Sequence, residues 1–160
     1  MVLQLLSPFT KKFNFTDSSC VPNISFADVI KKAPNLVEFG IHTANIILDK
    51  TWIKDLLKYK NGKNFNDLNV TLHTLELDIK NLVKFVETKC SKDIEMYIWF
   101  GQELCSHDET REDNDKKLGA IEKKLEEYFE KQVKEGPHLT VGYEGVDGYV
   151  SFALDKIKKS

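Results

Sequence analysis

The sequence predicts an α/β fold: a short solenoid of β-α units with parallel strands and helices on the opposite face. Three observations predict it. Short apolar, β-rich stretches centre on Phe13, Phe39, Leu68 and Tyr97, at steps of 26, 29 and 29 residues. Each is followed by an amphipathic stretch with helical spacing. A fifth β-rich stretch near Val141 comes after a longer step of 44 residues. Self-similarity at roughly 20–50 residues marks stacked repeats, in which no unit can bury its apolar face alone. A chain of 160 residues suits a single domain, residues 1–160, of about five such units.

The first unit opens with Lys12-Phe13-Asn14-Phe15, whose alternation reads as a half-buried strand. Ser25 is placed as a helix N-cap: its hydroxyl can accept from the Asp28 N–H, and the Asp28 carboxylate can reach back. Ile24 and Val29 occupy the positions of a hydrophobic staple. Phe26, Val29, Ile30 and Ala33 form the buried stripe, and Pro34 stops the helix. Leu36 to Ile41 is the second strand. The second helix begins near Asp49 or Thr51, buries Ile53, Leu56 and Leu57, and ends at Asn61-Gly62, a pair that tolerates positive φ.

The third strand lies within Phe65 to Leu72, with a pairing through Leu72, Leu75 and Leu77 as the alternative. The third helix follows from about Asp78, with Ile79, Leu82, Val83 and Val86 on one face. Ile94 to Phe100 is almost continuously apolar and aromatic, as expected of a central strand buried on both sides. Residues 107–117 then form a dense run of mixed charge, read as a charged loop or an exposed first helical turn. The fourth helix runs from roughly Asp113 to Glu135 on a stripe of Leu118, Ile121, Leu125, Phe129 and Val133. Glu127 with Lys131 and Glu130 with Lys134 are expected as i,i+4 pairs. After Gly136-Pro137, His138 to Tyr143 is the fifth strand, followed by a glycine-bearing turn and a short closing helix over 150–158. Right-handed crossovers make neighbouring strands parallel. Near-equal unit lengths favour a solenoid of leucine-rich-repeat type over an open doubly wound sheet.

Composition narrows the function. Hydrophobic content of 41% excludes a chain too polar to fold, and a net charge of −2 makes no electrostatic case for nucleic acid. The apolar start, Met1 to Leu6, is too short for a signal-peptide core, and no stretch spans a bilayer. Cys20, Cys90 and Cys105 are odd in number and unpaired in spacing, which points to a cytoplasmic or nuclear protein without a disulfide framework. The sequons at Asn14, Asn23 and Asn69 read as chance matches in an asparagine-rich chain.

An enzyme needs convergent groups, and the chain offers one candidate. Cys105-Ser106-His107 sets a thiol and an imidazole just after a strand end, but with no identifiable orienting partner or oxyanion site. The cysteines and histidines show none of the paired spacings of a zinc site. Gly142 and Gly145 lack the third glycine of a dinucleotide loop. No catalytic, metal or cofactor-binding residue is assigned, and no cofactor is expected. On the fourth strand, alternation means that either Tyr97 and Trp99 or Met96, Ile98 and Phe100 face the concave surface of the sheet. Tyr97 and Trp99 are the candidate partner-binding residues, because such side chains dominate interface hot spots.

Ala33-Pro34-Asn35-Leu36-Val37-Glu38-Phe39 resembles the "PNL" entry to a strand in leucine-rich-repeat-like proteins. The order Thr51 to Leu57, a leucine-rich strand region, then Asp78 to Phe85 is similar to nematode F-box-associated repeat proteins. So is the apolar strand, acidic stretch, long Glu/Lys helix and strand leading to Gly145-Val146-Asp147-Gly148. The resemblance spans about residues 24–150. It implies the substrate-recognition region of an F-box-type ubiquitin ligase component. Residues 1–23 are too short for an F-box, so a ligase adaptor is an expected partner only if that element is supplied elsewhere. The reading is a non-enzymatic protein-interaction module that holds a protein partner. The alternatives are a small α/β enzyme with a site near Cys105 and His107, or a degenerate paralogue without a retained partner.

Overall fold

The computed structural model describes residues 2–16, 23–42, 46–106, 108–131 and 135–158. Helix α1 (Val2–Leu5) leads into strand β1 (Lys12–Thr16), where Phe13 and Phe15 turn to one side and Lys12, Asn14 and Thr16 to the other. Strand β2 (Ile24–Ser25) runs straight into α2 (Phe26–Lys32). Ser25 caps that helix as its spacing predicts: the Asp28 N–H donates to Ser25 Oγ at 3.2 Å, and the Ser25 hydroxyl donates to Asp28 Oδ2 at 2.8 Å. The Ala33 N–H closes the last turn on the Val29 carbonyl before Pro34 ends it.

Strands β3 (Glu38–His42) and β4 (Ile46–Ile47) precede α3 (Trp52–Tyr59). There the Thr51 N–H and hydroxyl both donate to Asp49 Oδ1, so Asp49 organises the turn that starts the helix. Strand β5 (Phe65–Leu72) occupies the predicted span and is followed by α4 (Ile79–Lys89), capped by Asp78, which accepts from the Asn81 N–H at 3.3 Å. Strand β6 (Cys90–Phe100), helices α5 (Glu103–Ser106) and α6 (Asp108–Glu126), and strands β7 (Glu130–Lys131), β8 (His138–Tyr143) and β9 (Val150–Ala153) complete the order.

The main sheet has seven strands in the order β1-β3-β5-β6-β8-β9-β7. The first five are parallel and follow chain order with no reversal, whereas a doubly wound sheet needs a switch point. Strands β2 and β4 form a separate parallel pair, with Ile24 opposite Ile46. Helices α2, α3 and α4 touch one another in sequence order. The register lines up Phe13, Phe39, Leu68, Met96, Leu139 and Phe152 across the sheet, and all six are buried in one core cluster. Leu118, Ile121, Leu125 and Phe129 join that cluster, as the stripe predicts; Val133 lies outside the described residues.

Four expectations need correction. Residues 108–117 are the first half of α6, not a loop, because the charges pair along the helix: Arg111–Asp115 at 3.9 Å, Glu112–Lys116 at 2.7 Å and Asp113–Lys117 at 2.7 Å. That helix ends at Glu126, and Lys131 pairs with Glu126 rather than Glu127. The closing segment is strand β9, antiparallel to β8, not a helix. Alternation puts Phe152 on the core side, and Gly145 (φ 70°) and Gly148 (φ 110°) allow the chain to reverse. Strand β6, finally, is buried on one face only: Glu95 is exposed, and Tyr97 and Trp99 are half-buried. Among the described residues no helix is long and apolar enough to cross a membrane.

Candidate binding face of the sheet

Alternation along β6 sends Met96, Ile98 and Phe100 into the core and leaves Glu95, Tyr97 and Trp99 on the other face. Of the two sets that the sequence leaves open, the core takes Met96, Ile98 and Phe100. The same register builds three rows across that second face. The first is Lys12, Glu38, Asp67, Glu95 and His138. Tyr97 stands between Asn69 and Thr140 in the second row, and Trp99 between Thr71 and Gly142 in the third. Lys12, Asn14, Thr16, Asn69 and Glu95 are exposed, so no helix among the described residues lies over this part of the sheet.

The aromatic side chains form one connected group. The Tyr97 and Trp99 rings lie 6.3 Å apart at 19°, and Trp99 meets Tyr149 at 6.3 Å and 89°. The Tyr97 ring also meets His138 edge-on at 5.3 Å. His138 Nδ1 lies 2.8 Å from the Gly136 carbonyl, which can only accept, so Nδ1 carries a proton. Nε2 lies 3.1 Å from the Tyr97 hydroxyl, which also lies 3.3 Å from Glu95 Oε2, so two acceptors compete for its one proton. Buried His138 is thus the neighbour against which a candidate binding residue packs.

The charged row is uneven. Glu38 pairs with Lys12 at 2.7 Å. Asp67, between Glu38 and Glu95, has no cation in ion-pair contact among the described residues. Burial, then the Glu38 and Glu95 carboxylates, raise its pKa above the ordinary value, and Lys12 offsets part of this.

At the C-terminal ends of the strands the turn after β8 folds back over the sheet. Glu144 Oε1 lies 2.8 Å from His42 Nδ1. Strands β5 and β6 intervene between β3 and β8, so that contact crosses about 14 Å of sheet at the usual strand spacing. Beneath it lies a cleft of about 400 Å³, lined by His42, Trp99, Tyr149, Glu144 and Asp147 among others. Thr71, beside Trp99, is 7% exposed, and its hydroxyl has no hydrogen-bond partner among the described residues.

Gly142 makes the cluster possible. A Cβ there would lie 2.9 Å from Tyr149 Cβ and 3.0 Å from Tyr149 Cα, too close to the backbone for a side chain to step aside. Gly142→Ala is expected to cost about 1–3 kcal/mol in urea unfolding and to shift the Trp99 fluorescence as Tyr149 is pushed off. An unchanged unfolding midpoint would show that Tyr149 is not packed this tightly against Gly142. A glycine inside a predicted strand is the signal that marks such an approach.

The alternative site is only partly assembled. The Cys105 thiol is half-buried and donates to the Gln102 carbonyl at 3.2 Å. It lines a cleft of about 640 Å³ with Arg111, Asp115 and Tyr143, whose phenol is pushed up to about 12 by burial and then by Asp115. His107 lies outside the described residues, and no other base contacts the thiol among them. Cys90 is buried, and burial pushes its thiol up to about 12, which keeps it protonated and unreactive. Cys20 lies outside the described residues. Among the described residues no group of three or more His, Cys, Asp or Glu is placed to hold a metal ion. No protein-family model, no curated protein and no solved structure matches the chain.

Proposed function

We propose that this chain is a non-enzymatic protein-interaction module, a short leucine-rich-repeat-like β/α solenoid that holds a protein partner on the second face of its sheet. The observation that carries the reading is the Tyr97–Trp99–Tyr149 group, half-buried to exposed on a face whose neighbouring positions reach solvent. Rigid aromatic side chains on strands present a large contact area at small entropic cost. The unreversed order of the parallel strands is what a solenoid requires. With the resemblance to nematode F-box-associated proteins, the role is substrate recognition for an F-box-type ubiquitin ligase, provided that an F-box is supplied elsewhere.

The test is affinity capture with three proteins: wild type, Tyr97→Ala/Trp99→Ala, and a Lys116→Ala control on the exposed side of α6. The captured partner is then purified and its affinity measured. The reading expects the double variant, still folded by circular dichroism, to bind at least thirtyfold more weakly, about 2 kcal/mol, while the control binds normally. Equal binding by the double variant would move the interface off this face. A ligase adaptor or cullin among the captured proteins would support the recruitment role.

A further inference from the structure

The cleft at the end of this face has the chemistry of a cation site. Its two aromatic walls, Trp99 and Tyr149, meet at right angles, and Tyr149 is 52% exposed. A cation over such ring faces is held by their quadrupoles. Two carboxylates, Glu144 and Asp147, line the same cleft, and His42 is the only basic side chain among its lining residues. Glu144 is engaged by His42, whereas Asp147 stands exposed on the turn. The unpartnered Thr71 hydroxyl lies beside Trp99 on the same face.

We propose that this cleft receives a lysine or arginine side chain from an extended segment of the partner, with a second basic residue of that segment over the Glu38–Asp67–Glu95 row. The proposal rests on the interaction-module reading and names its partner's chemistry. Charge complementarity selects the occupant. Among the described residues, the three rows from β1 to β8 and the cleft carry five carboxylates (Glu38, Asp67, Glu95, Glu144 and Asp147) against one lysine, Lys12, and the histidines His42 and His138. Spacing selects its conformation. Trp99 follows Glu95 by four residues along β6, about 13 Å in an extended strand. An extended partner chain covers that distance in four residues; a helix covers about 6 Å. A cation over the acidic row also offsets the Glu38 and Glu95 charges, which after burial raise the pKa of Asp67.

The experiment is calorimetric titration of the full chain with blocked peptides of sequence Lys-Gly-Ser-Gly-Lys, its Gln-Gly-Ser-Gly-Gln counterpart, and a Lys-Gly-Lys-Ser-Gly peptide of closer spacing. The lysine peptide with four-residue spacing is expected to bind at least tenfold more tightly than the glutamine peptide and severalfold more tightly than the close-spaced one. Its affinity should fall with added salt. Asp147→Asn and Glu95→Gln, both at exposed positions, should each weaken it threefold or more, and Trp99→Leu about tenfold. Equal binding of the lysine and glutamine peptides, no binding of either at millimolar concentration, or insensitivity to both Asp147→Asn and Glu95→Gln would overturn the proposal. A captured partner that is lost from Tyr97→Ala/Trp99→Ala yet binds Asp147→Asn and Glu95→Gln normally would sink the cation site and leave the interaction module standing.

Discussion

Replacing Phe39 with alanine is expected to cost about 3–5 kcal/mol, a large part of the stability of a domain this size. Phe39, the second residue of β3, is 0% exposed. Its ring stacks on Phe13 of the preceding unit at 5.6 Å and 10°, and receives the edge of Phe26 from α2 at 4.8 Å and 76°. Phe26 in turn packs edge-on against Trp52 at the start of α3. Truncation therefore opens a void between a sheet and two helices that are each held by other contacts. Such a site cannot collapse to fill the space, and that puts the loss at the upper end for an aromatic core residue. Urea unfolding monitored by circular dichroism would measure it. Phe9→Ala is the matched control: Phe9 is 87% exposed, and its loss should fall within about 0.5 kcal/mol. A Phe39→Ala cost under about 1 kcal/mol would mean that the first two units do not share a packed interior.

The second large effect depends on pH and comes from Lys60. This residue follows α3 and is 1% exposed. Its Nζ donates to the Asn61 carbonyl and to Asn64 Oδ1, the latter at 2.7 Å, and Lys89 Nζ donates to the Lys60 carbonyl at 2.7 Å. Burial, then the positive charges of Lys89 and Lys11, push the Lys60 amine down to about 8 from its ordinary 10.5. Between those values the unfolded chain binds the proton that the folded chain has released. Stability therefore rises with pH across that window, and Lys60 costs about 3 kcal/mol at neutral pH. Cys90 and Tyr143 act in the opposite direction, because both are pushed up to about 12 and favour the unfolded chain as pH rises.

Comparison with Lys60→Met separates these contributions, since both proteins keep Cys90 and Tyr143. The methionine protein is expected to be the more stable at pH 7, by something under 3 kcal/mol once the lost hydrogen bonds are counted. That advantage should shrink steadily from about pH 8 to pH 10.5, as measured by urea unfolding at each pH. Two parallel pH profiles would show that the buried amine is not carrying this cost.

Much of the architecture was legible because the deciding signals are local. Ser25 and Asp78 mark helix starts by the reach of their own side chains, three residues ahead. The Phe65–Leu72 span and the apolar stripes of α2, α3 and α4 follow from spacing alone. The misreadings came where local signals were ambiguous. The density of charge in 108–117 suits both a loop and an exposed helix, and i,i+4 pairing decided for the helix. Val150, Phe152 and Leu154 do not by themselves distinguish a strand from a short helix; pairing with β8 does.

The candidate site was legible only in part, for the same reason. Tyr97 and Trp99 carried the signal of their residue type, but the apolar set on the other side of β6 was equally plausible until the core took Met96, Ile98 and Phe100. His138, Glu144 and Asp147 had no such signal, and Tyr149, though of the same residue type as Tyr97, lay outside the predicted strands. They reach the site through a turn and through a contact between residues 41 apart, His138 and Tyr97.

The sequence alone determined the repeating strand–helix pattern, most element positions and the helix caps, because periodicity and capping act over a few residues. Tertiary structure decided the antiparallel finish of the sheet, which face of β6 stays open, and the meeting of aromatic and acidic side chains at its end. Those outcomes depend on strand pairing and on competition for the core between segments far apart in the chain, and no local window contains that information.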